Sequence, residues 1–217
     1  MTEPDFLRLT REGYDRTAEA YAAQFHQHLD SKPVDRAMLA AFAGLVASTE
    51  NPRVADIGCG TGATTALLES FGVQAFGIDL SPNMIQQARI LNSTLEFTTG
   101  SMTELNISDN SLGGICAWYS IIHIPDDHLP KVFAEFERVL SPSGSLLLAF
   151  QAGNKPRILT EAFGQSVDLT FRRRIPDSVE SLLADAGLHM YARLIREPDS
   201  DGFESTLHAY LIAQKPK

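Results

Sequence analysis

Three glycines and two acidic residues lie where two predicted strands end, and together they indicate a nucleotide-binding site. The segment Val54–Thr64 reads V-A-D-I-G-C-G-T-G-A-T, between an apolar run and the start of a predicted helix. Glycine lets the chain turn sharply and lets a ligand approach the backbone, and the first amides of a helix point into the same space. Asp79 ends the next apolar run, where a carboxylate can accept hydrogen bonds from ribose hydroxyls.

The glycine segment is compatible with two cofactors, and Asp56 favours one of them. Gly58, Gly60 and Ala63 satisfy the G-x-G-x-x-G/A pattern of dinucleotide binding, so NAD fits the spacing. Asp56 precedes the first glycine by two residues, where we expect its carboxylate to repel a pyrophosphate and attract an ammonium group. S-adenosylmethionine carries an ammonium and a sulfonium and has no phosphate, and it therefore suits this segment better. Asp79 is consistent with either nucleoside.

Aromatic side chains follow at the end of the fourth predicted strand. Trp118, Tyr119 and His123 stand there, and aromatic faces tolerate a cation such as a sulfonium. A histidine can accept a proton from an oxygen or nitrogen nucleophile near neutral pH. We therefore treat His123 and Tyr119 as catalytic candidates, with the alternative that His123 only packs beside the cofactor and transfers nothing.

These residues need a scaffold in which several strand ends meet, and the hydrophobic pattern predicts one. Short apolar runs alternate with amphipathic ones from Val54 onward, as expected of parallel strands joined by helices. Only a short polar loop, residues 197–202, separates the last two strands, which we therefore expect to be antiparallel. We predict a single-domain, Rossmann-like α/β fold whose seven-stranded sheet is mostly parallel with the last strand antiparallel, with helices on both faces and an N-terminal helical cover. The predicted strands are Arg53–Ile57, Val73–Ile78, Leu95–Thr98, Leu112–Trp118, Ser145–Phe150, Leu188–Arg196 and Thr206–Gln214.

Helix starts are also marked in the sequence. Pro33 and Pro82 are typical of first helical positions, and Ser81 is a good N-cap. Asp177 followed by Glu180 resembles a capping box.

The composition argues against several classes of protein. The 217 residues carry 18 basic and 27 acidic side chains, a net charge of −9, whereas nucleic-acid binders rely on clustered lysine and arginine. No apolar stretch is long enough for a membrane span, and no secretory signal is visible. Cys59 and Cys116 form no C-x-x-C pair and the histidines have no zinc-ligand spacing. We expect a cytoplasmic monomer or homodimer with a small-molecule substrate and no metal, nucleic-acid or membrane partner.

The motifs resemble those of class I S-adenosylmethionine-dependent methyltransferases. Val54–Gly62 and Gly77–Met84 look like the first two motifs of that family, and Gly100–Met102, Ala117–His123 and Arg138–Gly144 are similar to its later ones.

One branch of the family matches best. The segment Tyr14–Tyr21 reads Y-D-R-T-A-E-A-Y, which is similar to the Tyr-Asp-x-x-Ala-x-x-Tyr start of a bacterial small-molecule branch. The tetrapeptide Ala117–Ser120 differs from the Asn/Asp-Pro-Pro-Tyr/Phe of enzymes that methylate DNA adenine or amide nitrogen.

The resemblance implies roles along the cofactor. Asp56 and the glycine turn would hold the methionine part, Asp79 the ribose, and Ser101 with the Met102 backbone the adenine edge. Tyr14 and Tyr21 would bind the methionine carboxylate, although a helical apolar stripe explains the same spacing. The cofactor-binding residues predicted in this way are Tyr14, Tyr21, Asp56, Gly58, Cys59, Gly60, Gly62, Asp79, Leu80, Met84, Gly100, Ser101, Met102, Ala117 and Trp118.

Two segments fall outside the alternation of strands and helices and are expected to cover the cavity. Residues 1–30 would form an N-terminal helical cap, and residues 151–176 a substrate-side insertion in a methyltransferase domain of residues 31–217. The insertion holds a basic cluster that could bind a carboxylate or phosphate; a solvated face, or pairing with Asp168 and Asp177, is the alternative. The cluster comprises Lys155, Arg157, Arg172, Arg173 and Arg174.

The sequence as a whole predicts methyl transfer from S-adenosylmethionine to an oxygen, nitrogen or carbon atom of a small organic molecule. S-adenosylhomocysteine would be the product. The alternatives are an NAD-dependent oxidoreductase, a protein that binds the cofactor without turnover, and an enzyme that uses the same pocket for another reaction.

Overall fold

The secondary structure is taken from a computed structural model, which describes residues 3–200 and 202–217. The helices of this part of the chain are α1 (Asp5–Phe25), α2 (Pro33–Ala47), α3 (Ala63–Ser70), α4 (Pro82–Leu91), α5 (Leu129–Val139) and α6 (Pro176–Asp185). The strands are β1 (Arg53–Ile57), β2 (Gln74–Asp79), β3 (Glu96–Thr99), β4 (Leu112–Trp118), β5 (Leu140–Gln151), β6 (Arg157–Ala162), β7 (Gln165–Phe171), β8 (His189–Arg196) and β9 (His208–Gln214). No helix of these residues is both long enough and apolar enough to cross a bilayer.

Seven of the strands form one sheet in the order β3-β2-β1-β4-β5-β9-β8. The first five pair in parallel, while β9 runs antiparallel to both of its neighbours. The Rossmann-like prediction, including the antiparallel last strand, is therefore confirmed. The chain reverses its direction of travel across the sheet between β1 and β4, and in such sheets ligands bind at the carboxyl ends of the strands at that point.

Both faces of the sheet are covered by helices. On one face Phe133 and Phe136 of α5 and Leu183 of α6 are fully buried against the strands. On the other face Leu39 and Phe42 of α2 are fully buried. These apolar stripes hold the strand ends in place, and the strand ends carry the candidate site.

Helix α1 and the hairpin β6–β7 pack against each other above the carboxyl ends of the strands. A Cβ on Gly13 would lie 2.7 Å from Leu169 Cδ2, so the absence of a side chain lets α1 approach β7 closely. Arg16 Nη1 also donates to Ser166 O at 3.1 Å. The hairpin, whose strands form a separate two-stranded sheet, was not among the predicted strands. The division of the chain at residue 30, and the bounds 151 and 176, stay predictions.

The centre of α1 is fixed to the amino end of α4. Asp15 Oδ1 accepts hydrogen bonds from Ser81 Oγ at 2.6 Å and from Asn83 N at 3.1 Å. Ser81 Oγ in turn accepts from Met84 N at 3.1 Å, which is the predicted N-cap. The Asp15 side chain therefore joins the cover to the domain beneath it.

The predicted bounds of β2, β3, β8 and β9 differ from the observed ones by one or two residues, and two other predictions were wrong. Strand β5 begins at Leu140 rather than at Ser145, because Leu140 pairs with Leu112 across an irregularity of the ladder. Asp177 does not cap α6, since the helix starts at Pro176, and the Asp177 carboxylate accepts a hydrogen bond from Arg193 Nη1 at 2.6 Å instead.

Candidate functional site

The turn after β1 is shaped by its glycines. Gly58, Gly60 and Gly62 have φ values of 78°, 54° and 79°, in the left-handed region that side chains other than glycine adopt at a cost. A Cβ on Gly58 would lie 2.2 Å from Ser120 Cβ, whereas a Cβ on Gly60 would meet no atom within 4 Å. Gly58 therefore allows close packing against the loop after β4, and Gly60 leaves open space above the backbone.

A cavity with an empty volume of about 1,090 Å³, open solvent at its mouth included, lies over this turn. It separates the ends of β1, β2 and β4 from the overlying helix α1. The predicted site residues that line it are Tyr14, Tyr21, Gly58, Cys59, Gly60, Asp79, Leu80, Met84, Gly100, Ser101, Met102, Trp118, Tyr119 and His123. Asp56, Gly62 and Ala117 do not line it, and all the individual ligand contacts stay predictions.

The Asp79 carboxylate is fixed at the rim of the glycine turn. Its Oδ2 accepts a hydrogen bond from Gly60 N at 2.8 Å, and its Oδ1 accepts one from Ser81 N at 2.9 Å. Burial raises the pKa of this carboxyl, and the two amides oppose that rise. A carboxylate oxygen has room for a second donor, so both oxygens can still accept hydroxyl hydrogens from a ligand in the cavity.

Asp56 lies beneath the glycine turn instead of facing the ligand space, which differs from the sequence expectation. Its Oδ2 accepts a hydrogen bond from Thr65 Oγ1 at 2.6 Å, because the first turns of α3 place Thr65 over the end of β1. Its Oδ1 is buried and has no hydrogen-bond partner among residues 3–200 and 202–217. Burial raises the pKa of Asp56 to about 7, so the carboxyl is only partly ionised at neutral pH. Because it lies beneath the turn, any repulsion of a pyrophosphate would act through the turn and not by contact.

His123 and Tyr14 form a hydrogen-bonded pair on the opposite wall of the cavity. His123 Nδ1 lies 3.1 Å from Thr170 O, a carbonyl that can only accept, so Nδ1 carries the hydrogen. His123 Nε2 lies 2.8 Å from the Tyr14 hydroxyl and therefore accepts its proton in a hydrogen bond. Burial lowers the pKa of His123 to about 4, so the ring is neutral at pH 7. The arrangement fixes a base whose lone pair already faces a hydroxyl.

The hairpin keeps His123 in this orientation. Thr170 belongs to β7, and Arg172 donates from its backbone N to Ile122 O at 2.8 Å and from Nη1 to His123 O at 3.1 Å. The Phe171 ring lies 5.0 Å from the His123 ring. The ring position of His123 thus depends on the docking of a segment nearly fifty residues further along the chain.

The hydroxyl of Tyr119 is engaged below the cavity. It is hydrogen-bonded to His208 Nδ1 and lies 3.1 Å from the Tyr210 hydroxyl. Tyr210 in turn donates to Asp35 Oδ1 at 3.0 Å. The Tyr119 ring lines the cavity, but its hydroxyl belongs to the polar network formed with His208, Tyr210 and Asp35. A catalytic role for this hydroxyl stays a prediction.

Aromatic rings gather at the mouth of the cavity. Phe25 lies 5.0 Å from Tyr21 and 6.2 Å from Phe163, as measured between ring centroids. Phe203, from the loop between β8 and β9, lies 5.6 Å from Phe25. The end of α1, the hairpin turn and this loop therefore meet around the opening.

Several lining residues were not predicted. Phe6, Leu7, Thr10 and Arg11 all line the cavity, one to two helical turns before Tyr14. Their spacing from Tyr14 follows the helical period, which is a signal that sequence analysis could have used.

Comparisons with known proteins show similarity to methyltransferases. Residues 54–144 match the family model described as "Methyltransferase domain". The chain is 36% identical to phosphoethanolamine N-methyltransferase 1 of Arabidopsis thaliana over 102 residues, which are 45% of this chain and 20% of that protein. It is 31% identical to demethylmenaquinone methyltransferase of Chlorobaculum parvum over 139 residues, 62% of this chain and 56% of the relative. The chain spans between 20% and 32% of the length of the plant phosphoethanolamine N-methyltransferases that it matches.

A solved structure supports the fold over the whole chain. Burkholderia thailandensis 1,6-didemethyltoxoflavin-N1-methyltransferase, solved with its substrate and S-adenosylhomocysteine, superimposes with a TM-score of 0.70 at 17% identity. The alignment covers 100% of this chain and 92% of that one. Residues 54–144 are therefore similar to a methyltransferase domain, and the fold of the whole chain is that of the solved methyltransferase.

Proposed function

We propose that this chain transfers the methyl group of S-adenosylmethionine to a small organic acceptor, at an oxygen or nitrogen atom that carries a proton. One observation carries the proposal: a single cavity contains both a fixed carboxylate suited to a ribose, Asp79, and the Tyr14–His123 pair. A carbon nucleophile with an acidic hydrogen would use the same pair.

The residues around the glycine turn fit this cofactor. Asp79 would accept the ribose hydroxyls, and Leu80 and Met84 line the cavity beside it where an adenine would rest. The backbone at Gly60, with open space above it, would pass close to the methionine part. The unpartnered Oδ1 of buried Asp56 leaves an acceptor beneath the turn that an ammonium group would reach through a water molecule. When bound, the cofactor supplies an electrophilic methyl group on a cationic sulfur.

Tyr14 and His123 would remove the proton of the acceptor. The Tyr14 oxygen takes the proton from the nucleophilic atom, and the Tyr14 hydroxyl hydrogen passes to His123 Nε2. His123 Nδ1–H stays hydrogen-bonded to Thr170 O throughout, which stabilises the positive charge that the ring gains. The low pKa of the ring, about 4, keeps His123 ready to accept, and its burial excludes water from the pair.

The comparisons support a small acceptor. Relatives of this chain carry names that refer to phosphoethanolamine and demethylmenaquinone, and the structural neighbour acts on 1,6-didemethyltoxoflavin. The cavity is lined both by the glycine turn and by the Tyr14–His123 pair, so the cofactor and a small acceptor would share one space. We also propose that the protein acts in the cytoplasm without a nucleic-acid partner, in keeping with its net charge of −9.

Calorimetric titration with S-adenosylmethionine, S-adenosylhomocysteine and NAD tests the cofactor. We expect the first two to bind and NAD not to bind. Asp79→Asn should weaken S-adenosylmethionine binding by about a hundredfold, because two hydrogen bonds to a charged group are altered. Asp185→Asn, which changes an exposed acid at the end of α6, is the matched control and should leave the affinity unchanged.

Transfer of a labelled methyl group from S-adenosylmethionine into small-molecule extracts of the producing cell tests turnover. A labelled compound that depends on active protein is expected. NAD binding without S-adenosylmethionine binding would overturn the proposal, and S-adenosylmethionine binding without any labelled product would point to a binding protein.

A further inference from the structure

A second, smaller pocket lies beside the main cavity, at the carboxyl end of β5. Its empty volume is about 400 Å³, open solvent included. Two of its lining residues touch the catalytic candidates from behind: His208 is hydrogen-bonded to the Tyr119 hydroxyl, and the Phe171 ring lies 5.0 Å from the His123 ring. The second pocket is therefore separated from Tyr119 by the His208 side chain and from His123 by the Phe171 side chain.

A pair of aromatic rings lies between the two openings. Phe203 lines the second pocket, and its ring lies 5.6 Å from that of Phe25, which lines the main cavity. A molecule with one end in each space would have to pass these two rings.

Two arginines line the second pocket: Arg157 at the start of β6, and Arg173 just after the end of β7. Arg173 Nη2 donates to Ser205 Oγ at 3.1 Å, which leaves further donors of its guanidinium available. The Arg157 side chain makes no hydrogen bond or ion pair with the residues that the structure describes, and it is exposed at the pocket. These two differ from the other arginines of the basic cluster, which have structural roles.

Arg172 and Arg174 illustrate that difference. Arg172 donates to the carbonyls of Ile122 and His123, and buried Arg174 donates to Asp126 and to Ile121 O. The pairing of the cluster with Asp168 or Asp177 that the sequence left open is not observed within the described chain. Only part of the cluster is therefore available for a ligand.

The acid and the histidine of the pocket are engaged by neighbouring residues. Glu204 is the acid among its lining residues, and it is ion-paired with Lys32 at 2.8 Å and with Arg196 at 2.7 Å. His208 Nε2 is buried and makes no hydrogen bond to the described residues; it lies 3.5 Å from Glu204 Oε2. Two guanidinium groups beside a small concave space match the oxygens of a carboxylate or a phosphate monoester.

We propose that this second pocket binds a carboxylate or phosphate group carried by the methyl acceptor. The inference rests on the proposed function and adds a substrate class to it. Anchoring the anionic end behind Phe203 would hold the other end of the acceptor beside Tyr14, so that proximity contributes to the rate of transfer. Arg157 and Arg173 are the residues assigned to the anion.

The anion site is tested first with inorganic phosphate and acetate, titrated into the full chain at low ionic strength and followed by calorimetry. We expect saturable binding that Arg157→Gln and Arg173→Gln each weaken by about tenfold, the loss of one charge-assisted interaction. Lys155→Gln is the matched control, because Lys155 is an exposed cation of the same segment that does not line the pocket. Absence of binding, or equal weakening in all three variants, would overturn the site.

The source of the anion is tested by methyl labelling of extracts. We expect the labelled product to be retained by a quaternary-ammonium resin at mildly alkaline pH. Arg157→Gln and Arg173→Gln should lower labelling about tenfold at limiting extract, should recover at high extract concentration, and should keep the S-adenosylmethionine affinity of the wild type. Circular dichroism and thermal unfolding would confirm that the variants fold.

The possible failures are distinguishable. A labelled product that flows through the resin, or labelling that is indifferent to both arginines, would overturn the assignment to the acceptor, even if free phosphate binds. No label in any fraction, together with intact phosphate binding, would contradict the proposed function and not the anion site.

Discussion

The two walls of the cavity are built in different ways. The wall at the ends of β1 and β2 consists of backbone and of carboxylates that backbone amides hold, as Gly60 and Ser81 hold Asp79. The facing wall consists of side chains from distant parts of the chain, since Tyr14 and His123 are 109 positions apart. The first wall is fixed as soon as the sheet forms. The second exists only when α1 and the hairpin β6–β7 have docked.

The largest expected effect is a loss of kcat on mutation of the second wall, without a loss of cofactor affinity. Tyr14→Phe and His123→Gln should each lower kcat by about 100- to 10,000-fold, the range for general acid–base groups, while S-adenosylmethionine affinity is retained. Rapid-quench measurement of methyl transfer, together with calorimetry, checks both quantities. Activity of the wild type should fall only as pH approaches 4, because protonated His123 cannot accept a proton and burial sets its pKa at about 4.

The opposite result for Tyr14 would contradict its assignment to the second wall. If Tyr14→Phe instead weakened S-adenosylmethionine binding and left kcat intact, Tyr14 would belong to the cofactor wall, as the family resemblance implied.

The next effect in size concerns the first wall and the stability of the fold. Burial raises the pKa of Asp56 from 3.8 to about 7, so the folded state binds this proton more tightly than the unfolded chain does. The associated stability is present below pH 4 and is lost as pH rises towards 7. Asp56→Asn, which stays neutral, should therefore raise the free energy of unfolding above pH 7 by an amount on the order of 4 kcal/mol, with little change near pH 4.

Urea unfolding at both ends of that pH range measures this difference. Asp185→Asn, at an exposed acid, should show none of it. A gain from Asp56→Asn that is the same at every pH would mean that the pKa of Asp56 is the same in the folded and the unfolded protein. We also expect Asp56→Asn to bind S-adenosylmethionine more weakly.

The smallest expected effect concerns Tyr119 and tests whether its hydroxyl is structural or takes part in catalysis. Tyr119→Phe removes hydrogen bonds to His208 and Tyr210 and should lower the free energy of unfolding by about 1–2 kcal/mol, with kcat little changed. Tyr191→Phe, at a tyrosine that is 58% exposed, is the control and should be neutral. A hundredfold loss of kcat in Tyr119→Phe would place this hydroxyl in the chemistry instead.

The difference between the walls also explains what could be predicted from the sequence. The sheet and the glycine turn depend on local patterns, so periodicity and residue spacing located β1, β2 and Asp79 correctly. The Tyr14–His123 pair depends on how two distant segments dock, and no local pattern encodes that distance. Both residues were singled out, but with separate roles.

The hairpin β6–β7 was missed for a related reason. Most side chains of β6 are exposed, including Ile158 at 65%, so the strand lacks the apolar alternation of a buried one. Its shape follows from the turn at Phe163 and Gly164, both with positive φ. A turn of this kind is typical of tight hairpins, and Phe-Gly is not among its common sequences.

The adjacent pair Tyr14 and Asp15 has a consequence for how the acceptor enters. Asp15 ties the middle of α1 to the start of α4, and Tyr14 points from the same turn to the base. If α1 swung away as a rigid gate, it would take the hydroxyl from His123 and the protein would be open but inactive. The acceptor must then enter, and the product leave, by local movement of the aromatic side chains around the mouth of the cavity. Otherwise α1 must dock again in every turnover to restore the hydrogen bond between Tyr14 and His123.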